Sequence, residues 1–308
     1  MTCEECHRSY MDIICEFREK DDRALQFFTD HGILPTTRDC PDCQRPCTYR
    51  AERKIFQCNT KIVDKRHKRV KRCGYSSSLY KGTWFENAKI KPNTALLFIN
   101  VFLRQYFSQE ICENELGLCA KSVVQWKNFC SEVCMYWMEN QEPIGGPNTV
   151  VEIDKTTFGK RKVYHGVQVR CGLSVFGGIE RGSGRMFIVP VEEIDSDTLA
   201  PLCQTFILPG TTVYSERSIA YVDLESLGFG HQTVNHRQGL QDPITGVHTD
   251  NIKRLWKDIK SWVMKAGNRN YNYRYYLARY LFCHAHQDHT TIIHHFLKAV
   301  GRRYPPCQ

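Results

Sequence analysis

The chain has 308 residues, too many for one minimal domain and enough for two or three. A 42% hydrophobic fraction allows packed cores, and a net charge of +9 points away from polycationic partners and toward a polyanion, most simply nucleic acid. Sixteen cysteines would suit a secreted disulfide scaffold, but residues 1–20 lack a basic start followed by an apolar run, and the longest apolar stretch, residues 95–103, is interrupted by Asn100 and too short to span a bilayer. No signal peptide, no membrane span and an intracellular, reducing location are expected, with Cys130, Cys134 and Cys171 as reduced core residues.

Residues 1–35 read as a helical lead-in. Cys3, Cys6 and His7 form a CxxCH string. Nothing else suggests a cytochrome, so haem attachment fits poorly and a loosely packed terminus is expected. Residues 36–90 read as a zinc-ribbon-like element. Cys40 and Cys43, two residues apart, can reach one tetrahedral zinc across a tight turn, and Cys58 with Cys73 would close the site. The second spacing is long, because a basic insertion separates Cys58 from Cys73. Lys61, Lys65, Arg66, Lys68, Arg69, Lys71 and Arg72 lie on it, expected as a loop that either sits on phosphates or is merely solvated. Cys47 is a possible substitute ligand, and free structural thiols are the plainer alternative.

Residues 91–140 turn helical and carry a helix-turn-helix pattern. Leu96 to Leu103 and Tyr106 supply an apolar face, residues 108–116 a second helix, Gly117 a turn needing positive φ, and residues 121–138 a third helix. Lys121, Gln125, Lys127 and Asn128 would then face DNA. A plain three-helix bundle fits the same pattern. Pro143, Gly145, Gly146 and Pro147 mark residues 141–149 as a linker.

From Val150 the period becomes that of strands. Glu152 and Asp154 project to one side, Val151 and Ile153 to the other. Further strands are expected over residues 163–175, 185–191 and 211–215, with turns at Gly177-Gly178 and Gly182-Ser183-Gly184. Helices are expected over 197–208, 219–227 and from His248 onward. This order predicts an α/β fold, a mixed sheet flanked by helices, over residues 150–290, with 291–308 as a tail. The stripe of Tyr271, Tyr273, Tyr275, Tyr276 and Tyr280, interleaved with Arg274 and Arg279, reads as a helix packing on that sheet, with stacking on bases as the alternative; His284, His286, His289, His294 and His295 have metal-like spacings but read as exposed histidines near a terminus.

Several ordered strings in this region carry a resemblance. They are Val151-Glu152-Ile153-Asp154, Phe158-Gly159-Lys160-Arg161-Lys162, Gly177-Gly178-Ile179-Glu180-Arg181, Pro209-Gly210-Thr211, Ser215 with Ala220-Tyr221, Val234-Asn235-His236, and Thr245-Gly246-Val247-His248-Thr249 with Trp256 and Lys260 beyond. The segment resembles the catalytic domain of ISXO-like insertion-sequence transposases, whose animal counterparts are the Merlin elements. The preceding ribbon and helix-turn-helix resemble that family's layout too. The resemblance implies an RNase H-like fold and two-metal strand transfer on DNA, with magnesium or manganese held by three acids. Asp154 matches the first acid. Glu216 stands where the family has Asp, and Ser218 where it usually has Trp. The third acid falls on Lys253.

Glu216 keeps the charge but adds a methylene, against a geometric tolerance of about 0.5 Å. Lys253 reverses a charge. At ~4 Å and an effective dielectric of ~20, a unit pair is worth about 4 kcal/mol. Asp250, three residues earlier on the same helix, is a possible substitute acid. Lys260, two turns after Lys253, matches a basic family position and touches phosphate or is simply solvated. The expectation is a transposase-like, nuclear DNA-binding protein with impaired strand transfer, acting on terminal inverted repeats and possibly as a homo-oligomer. A working enzyme using Asp154, Glu216 and Asp250 is the alternative.

Overall fold

A computed structural model describes residues 3–64, 69–104, 107–158, 161–164, 167–170, 173–235, 241–265 and 273–306. Lys65, Arg66, Lys68, Tyr106, Gly159, Lys160, Cys171, His236 and Tyr271, singled out above, lie outside the described residues. The chain divides into two compact units, Met1–Tyr136 with His286–Gln308, and Trp137–Ala285. No helix among the described residues is long and apolar enough to cross a membrane.

In the first unit, α1 (Tyr10–Phe17) starts from a capping box. The Ser9 hydroxyl accepts from the Asp12 N–H while the Asp12 carboxylate accepts from the Ser9 N–H. With α2 (Asp21–Asp30) it packs on α3 (Pro92–Phe102), burying Ile13, Phe17, Phe28, Phe98 and Phe102. The lead-in is therefore packed rather than loose. A short sheet, β1 (Thr48–Arg50), β2 (Ile55–Gln57) and β5 (Ser76–Ser78), frames the thiols, and between β2 and β5 runs the hairpin of β3 (Lys61–Asp64) and β4 (Arg69–Arg72). The basic insertion expected as a loop is thus paired strand. Next come α4 (Gln109–Leu116) and α5 (Ala120–Glu139). Gly117 stops α4 at φ +62°, the left-handed turn the sequence called for. After residue 290 the chain forms α9 (Ile292–Arg303), with Ile292, Ile293, Phe296, Leu297 and Val300 buried. His294 is buried on it, not exposed as expected.

The second unit is a sheet with helices on both faces. Its strands are β7 (Val150–Phe158), β10 (Leu173–Glu180), β11 (Met186–Val191), β13 (Thr212–Glu216) and β14 (Gly230–Val234). Short flanking pairs are β6 (Ile144–Gly145) with β12 (Ile207–Leu208), and β8 (Arg161–Tyr164) with β9 (Val167–Arg170). The sheet order is β11-β10-β7-β13-β14. β10 runs antiparallel to both of its neighbours, β11 and β7, and β13 and β14 run parallel to β7. That order and sense make the fold RNase H-like.

Alternation decides the faces. Val151, Ile153, Phe176, Phe187 and Val213 pack with α6 (Ser196–Phe206) and Tyr221 on one side. On the other, Phe158, Val175 and Ile188 meet α7 (Asp250–Lys265) and α8 (Tyr273–Ala285). Ile252, Leu255, Trp256, Ile259 and Val263 form the apolar stripe of α7 at helical spacing, and Tyr273, Tyr276 and, in part, Tyr280 pack in the same cluster on that face of the sheet.

Three expectations fail locally. The described residues of the strand expected over 163–175 fall in β8, β9 and the start of β10, with β8 and β9 pairing antiparallel to each other. The helix expected over 219–227 is one 3-10 turn, Ile219–Tyr221, followed by turns. Gly177 and Gly178 are not a turn but the middle of β10. They are small because the sheet is crowded there: a Cβ on Gly177 would lie 2.8 Å from both the Phe187 carbonyl oxygen and the Trp256 ring. Gly177→Ala should cost about 1–3 kcal/mol through overpacking, read as a lower urea midpoint at unchanged slope. Unaltered stability would mean that Trp256 does not press on the sheet.

Candidate functional site

Glu152 and Asp154 leave β7 on the α7 face, as the alternation predicts, but they do different work. Glu152 is completely buried. Its Oε1 accepts from Arg181 Nε and from Asn251 Nδ2, both at 2.7 Å, and its Oε2 accepts from the Ile252 backbone N–H at 3.0 Å. The carboxylate therefore satisfies a free N–H of the first turn of α7 and fixes where that helix begins. Arg181 also donates to the His248 carbonyl at 2.9 Å and stacks on Tyr214 at 4.7 Å. The sequence reading had placed Arg181 in a family string without a role. Glu152 was legible only as an acid beside Asp154.

Asp154 and Glu216 are brought side by side. β7 and β13 are in register through Tyr214 opposite Glu152, and each acid stands two residues further along its strand. Asp154 is half-buried and accepts from the Lys155 N–H at 2.8 Å. Burial holds its carboxyl up at about 6. The Lys155 N–H opposes the rise, Glu216 adds to it, and Lys253 and Trp256 oppose it. The Trp256 indole N–H is buried there without closing a hydrogen bond of good geometry. Lys155 reaches across to Glu216 at 3.4 Å and to the Ser218 hydroxyl at 3.2 Å, and lies over the Tyr221 ring at 5.6 Å. Burial pushes the Tyr221 phenol up, and its hydroxyl is enclosed with no hydrogen-bond partner.

Lys253, half-buried in the first turn of α7, is within electrostatic reach of Asp154. Asp250 instead turns to His248, 3.7 Å away. Lys260 is exposed, its ammonium 6.0 Å from the Phe158 ring centre. Among the described residues the acids do not gather three or more ligand atoms in one place; the groups that do are a set of four cysteines and a set of two cysteines with two histidines.

The four-cysteine set is the one expected: Cys40, Cys43, Cys58 and Cys73, with Cys47 outside it. All four ligand atoms lie within 4.8 Å of one another, with Cys40 to Cys73 and Cys43 to Cys58 each at 3.5 Å. Bond lengths in a tetrahedral zinc site of four thiolates imply about 3.8 Å between sulfurs, so the group is compatible with a zinc ribbon. The β3–β4 hairpin removes the difficulty of the long spacing. It leaves and returns at one place, where Cys73 N–H donates to the Thr60 carbonyl at 2.8 Å. The Thr60 side chain and N–H hold the Cys58 thiol down at about 6, while burial raises Cys43 and, against the lowering Tyr75 N–H, Cys40 and burial push Cys73 up to about 12.

On α5, Lys121, Gln125 and Asn128 are exposed together, beside an unusually exposed Val124 and Phe129. Lys127 is half-buried, its ammonium over Phe107 at 5.6 Å.

A mixed sheet in this order, with Asp154 in the middle of its central strand and Glu216 at the end of the adjacent parallel strand, defines an RNase H-like domain. Residues 140–283 match the ISXO2-like transposase domain, so this part of the chain belongs to the ISXO-like transposase family. No curated protein matches the chain significantly. Among solved structures, the HTLV-2 integrase catalytic core in complex with magnesium is similar at 14% identity and TM-score 0.29, over 46% of this chain and 88% of that one. The BIV integrase catalytic core gives 12% and 0.27, over 43% and 78%. A simian T-cell lymphotropic virus intasome bound to PP2A regulatory subunit B56 gamma gives 12% and 0.28, over 60% and 68%. At such scores these likenesses carry no weight beside the strand order.

Asp154 yields a pH prediction. A carboxyl raised from 3.8 to about 6 in the folded state favours folding while protonated. That contribution is complete below pH 3.8 and is lost as pH rises through about 6. In buffer free of divalent metal, Asp154→Asn should therefore be more stable than the parent above about pH 6, by on the order of 1–2 kcal/mol after allowance for solvent screening. The two should converge near about pH 4. Equal stability at about pH 8 in urea titrations would contradict the burial of this charge.

Proposed function

We propose that the chain is a transposase-like DNA-binding protein whose strand-transfer chemistry is impaired. The observation that carries this is the cationic content of the acid site: Lys155 pairs with Glu216 at 3.4 Å, and Lys253 on the first turn of α7 faces Asp154. Two divalent ions need three acids around them. Here two acids remain, each already opposed by an ammonium, and Asp250 is engaged with His248. This donor set does not fit a two-metal centre, and no catalytic step is assigned to one.

DNA binding needs none of that chemistry. The +9 charge, the basic β3–β4 hairpin and the exposed α5 face with Lys121 and Gln125 support a role on DNA; terminal inverted repeats as target and the nucleus as location are part of the proposal through the family resemblance alone. In this reading the four-cysteine group holds zinc as a structural ion: all four positions come from the chain, which leaves none for substrate. Lys127, packed on Phe107, contributes less to base reading than Lys121 or Gln125.

Full-length protein, terminal-repeat DNA and magnesium or manganese test the proposal. Binding should fall steeply with salt, and Asp154-dependent strand cleavage should be absent. Efficient cleavage that disappears in Asp154→Ala would overturn it. Glu216→Asp with Lys253→Glu should bind manganese roughly tenfold or more tightly than the parent by calorimetry, given about 4 kcal/mol per unit charge pair at short range. No gain would mean that these two positions do not face the metal site.

A further inference from the structure

The set of two cysteines and two histidines lies wholly within the first unit and apart from the DNA chemistry. Cys3 and Cys6 come from the CxxCH string, His31 from the end of α2 and His294 from α9. Cys3 and His294 are separated by 291 positions in sequence. Cys6 Sγ lies 3.4 Å from His31 Nε2 and 3.6 Å from His294 Nδ1. Cys3 Sγ lies 3.7 Å from His294 Nδ1, and the two ring nitrogens are 3.3 Å apart. Zinc bonded tetrahedrally to two thiolates and two imidazoles sets sulfur–nitrogen edges of about 3.5 Å and a nitrogen–nitrogen edge of about 3.3 Å. These four edges match that figure to within about 0.2 Å, and all four ligand atoms lie within 4.8 Å of one another.

The surroundings fit the same occupant. His31 and His294 are 3% and 5% exposed. His31 Nδ1 donates to the Phe27 carbonyl at 2.7 Å, which fixes the tautomer and turns the Nε2 lone pair into the cluster, as the outer partner of a metal-bound histidine does. A lone pair held 3.3 Å from a second ring nitrogen and 3.4 Å from a thiol calls for one shared positive centre. The strand-like approach of the cysteines is pinned too: Cys3 N–H donates to the Asp30 carbonyl at 2.6 Å and Arg8 N–H to the Thr290 carbonyl at 2.7 Å. His7, the last residue of the CxxCH string, stays outside and faces Thr290.

We propose that Cys3, Cys6, His31 and His294 form a second structural zinc site, which staples the N-terminal segment and the end of α2 to α9. Thiolate and imidazole in equal number select zinc over magnesium or calcium, and four chain ligands leave no open position for catalysis. The chain then carries two zinc ions of different ligand sets, one all-thiolate and one mixed thiolate and imidazole.

The test is X-ray absorption at the zinc edge, with zinc content by mass spectrometry, on the unaltered full-length protein purified with zinc. Two zinc per chain with an average shell of three sulfurs and one nitrogen is expected. One zinc with four sulfurs and no nitrogen would overturn the proposal. One zinc with two sulfurs and two nitrogens would uphold it and leave only the ribbon empty. A folded Cys40→Ser, Cys43→Ser variant should retain one zinc and, with cobalt substituted, give the tetrahedral spectrum of a mixed sulfur–nitrogen site. A Cys3→Ser, Cys6→Ser variant should lose one zinc per chain. Retention of both ions there would also overturn the assignment.

Discussion

The second unit depends on one buried contact, the carboxylate of Glu152 against Arg181, Asn251 and the Ile252 N–H. A charge with no exposure is tolerated because both oxygens are occupied by donors, one of them a guanidinium. Removing one partner from such a pair typically costs about 3–5 kcal/mol. The contact also sets geometry. It locks the first turn of α7 to the central strand, so the residue three positions into that helix must stand beside Asp154. That residue is Lys253.

From this follows the chemistry of the site. A scaffold of this order brings the middle of β7, the end of β13 and the start of α7 toward one point. In the proposed reading, the helix delivers a positive charge there, Lys253. Lys155 closes on Glu216 from the strand side, Lys253 approaches Asp154 from the helix side, and burial leaves Asp154 holding its proton up to about pH 6. Lys155 pairs with Glu216, while burial outweighs the opposing charge of Lys253 at Asp154. The fold and the site have separate requirements, and the fold's requirement, Glu152, is intact.

Much of this was legible in the sequence, where local pattern is decisive. Val151, Glu152, Ile153 and Asp154 alternate between core and site as a strand dictates, and Gly117 takes the left-handed turn that ends α4. Cys40, Cys43, Cys58 and Cys73 meet as their types suggest. What local pattern could not give was long-range crowding and pairing. Gly177 and Gly178 looked like a turn, yet they are small because Trp256 and Phe187 press on the sheet from opposite sides. The Lys- and Arg-rich insertion looked like a loop, and its strand pairing brings Cys73 back to Cys58. Cys3 and Cys6 looked unpartnered, because His31 and His294 belong to distant helices. Lys155 gave no signal at all: its partner Glu216 lies on another strand.

The most direct measurement is anomalous diffraction from crystals of the full-length protein soaked in manganese. The proposed impairment predicts no pair of manganese ions between Asp154 and Glu216, with Lys155 still on Glu216. Two fully ligated manganese ions at that position, with Lys155 and Lys253 displaced, would contradict the account.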